Sequence, residues 1–314
     1  MKTGSQGKKH SGKVGSVLRI CSGILVGLML FSVIYIGLHQ PKWTFLPRKK
    51  LLCVPSKIDI PYEDVYLDIS PKVRINAWFV TATNAEATIL LCHGNCGNIS
   101  YEFAAIEFFL SLGFNVLAFD YRGFGESSGT PSESGCYEDS QAAWDYLVKK
   151  RKIKPGSIIV YGREMGGAIA ARLASLNSPA GLIIEAGYTS LHDLIRSHSD
   201  PKAWFARLLI WARFRTAEHI RKARCPILVA HSKEDYVVPL ELGRKVFELA
   251  PQPKTIIEMY GAHGDSVYAS RDQYEAAINN VFPGLAGKKK GATLQQGRSF
   301  TSLTQLSTLR TESR

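Results

Sequence analysis

The sequence predicts an α/β protein: a mostly parallel central sheet with helices on both faces. Two observations carry that expectation. The central apolar runs, such as "TILLCHG", "SIIVYG" and "PILVAHS", are continuous and do not alternate, as strands buried on both faces should be. Strand and helix patterns then follow one another through short loops, which is the arrangement of crossover-connected parallel strands.

Taken in order, Ile20–Leu38 is a run of nineteen residues without a charge, long enough to cross a bilayer as a helix. It is longer than the apolar core of a cleaved signal peptide, and no small-residue cleavage pattern follows it. It is expected to be an uncleaved signal anchor (residues 20–38) after a basic N-terminal segment (1–19), making the chain a single-pass membrane protein. Five basic residues precede the span and four follow soon after, so charge does not set its sidedness. Residues 39–54 read as a linker. "DVYLDIS" and "INAWFV" then read as two antiparallel strands.

From residue 88 the alternation is regular. "TILLCHG" leads to a helix over Tyr101–Leu112, and "NVLAFDYRG" to one over Glu138–Lys149. "SIIVYG" leads to a helix from Gly166, and "GLIIEAG" to a mixed segment. "PILVAHS" precedes a helix over Glu241–Leu249, and "TIIEMYG" one over Arg271–Phe282. The body is thus expected over 55–283. Within it, residues 188–224 break the alternation with aromatics and arginines, and read as a lid carrying Trp204, Phe205, Trp211 and Phe214. Residues 284–314 are polar and Ser/Thr/Gln-rich, the composition of a disordered basic tail.

The net charge of +12 resides at the two ends; residues 51–287 carry 24 basic and 26 acidic side chains. A near-neutral body argues against a nucleic-acid partner. Cys92 and Cys96 flank His93 with poor zinc spacing, so they read as small buried hydrophobes. No metal or cofactor is expected.

The chemistry centres on Gly162-Arg163-Glu164-Met165-Gly166. A buried strand, a glycine turn and a closely packed helix form the setting of G-x-S-x-G, the turn that presents a nucleophile; here glutamate stands where serine belongs. Asp235 and His263 follow later strands, in the chain order nucleophile, acid, histidine. A histidine there serves as base and the aspartate holds its tautomer. The turn "LLCHGNCGN" can aim N–H groups into the site, from Asn95 or Cys96, with the Met165 N–H as second donor. Gly125-Glu126-Ser127-Ser128-Gly129 matches the motif literally but has neither the strand nor the helix around it, so Ser127 is read as structural.

"CHGNCGN", "FDYRGFGESSGTPSE", "YGREMGGAIAARLAS", "HSKEDYVVP" and "GAHGDSV" together resemble the membrane-anchored α/β-hydrolase-domain (ABHD-type) proteins and their bacterial relatives. The resemblance covers about residues 55–283 and implies the α/β-hydrolase fold. It also implies descent from serine hydrolases of esters, lysolipids or thioesters, some labelled serine aminopeptidase-like. It assigns Asp235 and His263 to a triad, and Asn95 or Cys96 with Met165 to an oxyanion hole. The family's serine is replaced by Glu164.

Three outcomes follow from that glutamate. Covalent catalysis is lost, leaving a ligand-binding or scaffold domain at the lipid bilayer with room for an acyl or lipid ligand; or Glu164 acts as nucleophile or general base with His263 and Asp235; or Cys96 is recruited as nucleophile. A carboxylate nucleophile is disfavoured on chemical grounds. Glutamate is a methylene longer than the aspartate used by dehalogenases and epoxide hydrolases on this fold, and its attack on an ester would give an anhydride.

Overall fold

A computed structural model describes residues 8–198 and 210–286, with the side chains of 8–15, 17–18, 36–43 and 58 outside the description. The described elements run α1 (Lys8–Thr44), β1 (Leu46–Pro47), β2 (Tyr62–Ser70), β3 (Val73–Val80), β4 (Thr88–Cys92), β5 (Cys96–Gly97), α2 (Phe103–Ser111), β6 (Asn115–Phe119) and α3 (Glu133–Asp145). They continue with β7 (Ile158–Arg163), α4 (Met165–Leu176), β8 (Gly181–Glu185), α5 (Leu191–Ser197), α6 (Thr216–Ile220), β9 (Ile227–Ser232), α7 (Leu240–Leu249), β10 (Lys254–Met259), α8 (Ser266–Ala269) and α9 (Arg271–Val281).

Eight strands form one sheet in the order β10-β9-β8-β7-β4-β6-β3-β2. The β2–β3 and β3–β6 pairs are antiparallel and the remaining pairs parallel. The continuous apolar runs have the cause expected of them. In β7, Ile158 and Val160 point into one core layer while Ile159 and Tyr161 point into the other. Each strand residue therefore meets a helix-covered face, and an alternating polar pattern has no place.

Among the described residues no helix is long and apolar enough to cross a membrane. α1 nevertheless spans 37 residues. Its described side chains from Ile20 to Tyr35 are exposed, and Ile24, Leu25, Met29, Leu30 and Phe31 are each more than half accessible. The last three residues of the expected span, 36–38, lie outside the described side chains.

Three boundaries differ from expectation. α3 starts at Glu133, five residues before the expected start, because Ser132 caps it by accepting a hydrogen bond from the Gly135 N–H. The expected linker is tied down from Phe45 onward. Phe45 is buried edge-on against Phe124 and Phe214, and β1 pairs in parallel with β5. Of the expected lid over 188–224, the described residues include α5, α6 and the segment before α6. Phe214 within it is fully buried against Tyr137 and Phe45, so it belongs to the core and not to a lid surface. Trp211 is 59% exposed, while Trp204 and Phe205 lie outside the described residues, as does nearly all of the tail expected over 284–314.

Ser127 is structural. Its buried hydroxyl accepts from the Asn76 N–H at 2.8 Å and donates to the Asp120 carbonyl at 2.9 Å. Ser127→Ala leaves a buried N–H without its acceptor, so urea unfolding should show a loss of about 1–3 kcal/mol.

Candidate active site

β7 delivers the site. Its last residue, Arg163, is followed by Glu164 at φ 54°, ψ −118°, and then by the first turn of α4. So sharp a reversal needs small neighbours. A Cβ on Gly162 would collide with the Gly166 carbonyl, and one on Gly166 with the Cys92 carbonyl. Glu164 thus occupies a left-handed conformation that a non-glycine residue holds only at a cost of order 1–3 kcal/mol, supplied by the surrounding packing. Two backbone bonds fix it: Glu164 N–H to the Glu185 carbonyl and Gly167 N–H to the Glu164 carbonyl, both 3.0 Å.

The sequence-separated partners converge here. His263 and Asp235 are joined by a 2.8 Å hydrogen bond between Nδ1 and Oδ2. The other carboxyl oxygen of Asp235 accepts from the N–H groups of Val237 and Val238 at 2.9 and 2.8 Å. Burial alone would raise the Asp235 pKa, but the bond from His263 and the two N–H groups hold it below the ordinary range. An ionised Asp235 accepts the Nδ1 proton and leaves Nε2 directed at the elbow. From there Nε2 lies 3.9 Å from Glu164 Oε2, an ion-pair distance rather than a hydrogen bond.

The Glu164 side chain is 14% exposed and folds towards the β4–β5 turn. Its Oε2 lies 2.6 Å from where a Cβ on Gly94 would stand, so a side chain there would displace the Glu164 carboxyl from this position. The Asn95 backbone N–H faces the Glu164 carboxyl and offsets part of the effect of burial on it. One of the two donors expected to receive a substrate oxyanion is therefore turned towards the protein's own carboxyl group. Burial pushes the Glu164 pKa up, opposed by the charges of His263 and Arg163 and by that N–H.

An acid whose folded pKa lies above its unfolded value of about 4.3 binds more protons when folded, so its contribution to stability falls as pH rises through the folded value. Glu164→Gln removes this loss. Chemical denaturation should find the variant more stable than wild type at pH 8, with the difference shrinking towards pH 4.

Met165 begins α4 with its side chain in the core. Cys96, expected to be buried, is exposed on β5. It lines a groove of about 410 Å³ with Phe45, Leu46, Pro47, Arg48, Thr130 and Pro131, a set that contains none of Glu164, Asp235 or His263.

The sequence reading missed the charges beneath the elbow. Arg163 donates through Nη2 to the His263 carbonyl at 2.7 Å, and its Nη1 lies 3.7 Å from Glu102. Glu185 is buried alongside, accepting from Tyr161 and Ser266, and its pKa is raised by burial against the charge of Arg163. The signal was present: an arginine closing an otherwise apolar buried strand requires a partner.

Comparison with known proteins agrees with the fold. A family profile described as alpha/beta hydrolase fold matches residues 87–193. An uncharacterized protein of Escherichia coli O157:H7, YfhR, is 30% identical over 235 residues, covering 71% of this chain and 81% of its own. The chain belongs to the alpha/beta hydrolase family. The zebrafish lysophosphatidylserine lipase ABHD12 is 31% identical over 191 residues, 55% of this chain and 50% of that protein. Among solved structures, an alpha-beta hydrolase from Vibrio vulnificus superimposes with a TM-score of 0.65 at 22% identity, covering 74% of this chain and 88% of its own. That likeness concerns the fold alone. The strand–turn–helix at Glu164 has the form of the G-x-S-x-G turn expected from the sequence, and the β4–β5 turn faces it.

Proposed function

We propose that this protein is a membrane-anchored alpha/beta hydrolase family member in which Glu164 replaces the nucleophilic serine. Its site binds a ligand without turning over esters. The observation that carries this reading is the Glu164 carboxyl itself, which sits against Gly94, faces the Asn95 N–H and lies 3.9 Å from His263 Nε2. A serine hydroxyl attacks a carbonyl, and the oxyanion that forms needs free N–H donors. Here the hydroxyl is absent and a carboxyl group stands before one donor, where its charged form also repels a developing negative charge.

His263 and Asp235 remain in working orientation, as they would in a protein descended from a hydrolase of esters, lysolipids or thioesters. An acyl or lipid ligand suits that ancestry and the bilayer setting. The anchor reading rests on the exposed apolar stretch of α1 from Ile20 to Tyr35.

Full-length protein in detergent micelles should neither hydrolyse p-nitrophenyl esters above background nor accept a fluorophosphonate probe. Turnover by the wild type that disappears in both Glu164→Gln and His263→Ala would overturn the non-catalytic reading and assign Glu164 a role as nucleophile or base. Alkaline carbonate washing should leave the protein in the membrane pellet, and deletion of residues 20–38 should release it.

A further inference from the structure

We infer that residues 44–48, the stretch leaving α1, are positioning residues of the site, because they hold Asn95 from behind and so fix where its N–H points. This rests on the reading of the β4–β5 turn as the oxyanion-binding turn. Both ends of Asn95 are gripped. Its carbonyl accepts from the Leu46 N–H at 2.9 Å, and its side-chain Nδ2 donates to the Thr44 carbonyl at 3.2 Å. The ladder continues with Leu46 opposite Cys96 and Pro47 opposite Gly97, and the Arg48 N–H donates to the Gly97 carbonyl at 2.9 Å. Asn98 Nδ2 closes the contact on the Arg48 and Lys50 carbonyls, both at 2.9 Å.

The arrangement is strand addition from within the same chain. Pro47 has no N–H, so from the β1 side the main-chain donors to the β4–β5 turn are the Leu46 and Arg48 N–H groups. The turn cannot replace them. It lies between a strand end and a short 3₁₀ helix, Ile99–Glu102, with Gly97 at φ 86°. Without β1, the Asn95 and Gly97 carbonyls and the Asn95 amide turn to water, and the Asn95–Cys96 peptide is free to rotate. The consequence reaches the chemistry through the Asn95 Cα, which the held carbonyl and side chain fix on one side and from which the N–H facing the elbow extends on the other.

Leu46 provides a clean test because its side chain is 49% exposed. Leu46→Pro deletes the N–H with little loss of packing, and Leu46→Val preserves it. Hydrogen exchange on the full-length chain in micelles should accelerate about tenfold or more in the peptide covering 94–98 for Leu46→Pro, and for Asn95→Ala, which releases Thr44 while keeping β1. Leu46→Val should leave it unchanged. Unaltered exchange in both disruptive variants overturns the proposal, whatever the site does.

The second arm is run in the Glu164→Ser background, where fluorophosphonate labelling reports the oxyanion donors. Leu46→Pro should slow labelling about 10–100-fold and Leu46→Val should not. Faster exchange with undiminished labelling would mean the stretch supports the loop but not the site, and would overturn the positioning role. Absence of labelling in Glu164→Ser itself would count against the reading of the elbow, and the exchange result would still decide whether β1 holds the turn.

Discussion

Glu164→Ser should hydrolyse p-nitrophenyl esters and take a fluorophosphonate label, with kcat/KM at least about a thousandfold above the wild type. The scale comes from the reverse change, since deleting a triad serine in a hydrolase costs on the order of a million-fold in kcat. Part of that is withheld here because the site has not been selected around a serine. The other requirements are present: the elbow at φ 54°, the 2.8 Å Asp235–His263 bond, and an Asn95 N–H that the shorter side chain leaves free. The double variant Glu164→Ser/His263→Ala should fall back to background. An inert Glu164→Ser that keeps its fold by circular dichroism would show that the elbow has lost more than its nucleophile.

Arg163→Leu should be the most destabilising single change near the site, by about 3–5 kcal/mol in chemical denaturation, because it leaves buried carboxylates without their cation. Glu102 is 5% and Glu185 1% exposed, and the same guanidinium carries the His263 carbonyl. The sign of the pH dependence follows from Glu185, whose pKa already lies above the ordinary range. Once the arginine is gone the carboxyl escapes the penalty only by taking a proton. The deficit should therefore be largest at pH 8 and smaller at pH 5. Arg163→Lys should recover part of the loss at every pH. A deficit below about 1 kcal/mol would show that Glu102 and Glu185 do not depend on Arg163.

The strands and the elbow were legible in the sequence for physical reasons. A strand must be continuously apolar where both its faces are covered, as residues 89–91 of β4, 158–161 of β7 and 227–230 of β9 are. A strand turning abruptly into a helix must omit Cβ atoms, and Gly162 and Gly166 stand where collisions would occur. Asp235 and His263 were legible from chain order. Where the reading fell short, the deciding interaction was tertiary. Leu46 and Arg48 engage through backbone N–H groups, which leave no mark on composition. Phe214 resembled a lid aromatic until Phe45 and Tyr137 closed around it. The start of α3 hides in "TPSESG", whose serine and glycine read as loop although Ser132 caps the helix and Gly135 admits the Arg122 side chain. The approach of the Glu164 carboxyl to the Asn95 N–H required coordinates.

The meeting of α1 with the body also governs reach. Sixteen flexible residues over 39–54 would span up to about 55 Å when extended, enough to let a domain search well above a surface. α1 instead continues to Thr44, and Phe45, the next residue, is already in the core. The slack is a single peptide. For a protein anchored through α1, the face that carries Glu164 works at a fixed height against the bilayer. The molecules that meet Glu164 are then those held at or near that surface, selected by where they reside before any pocket contact is made.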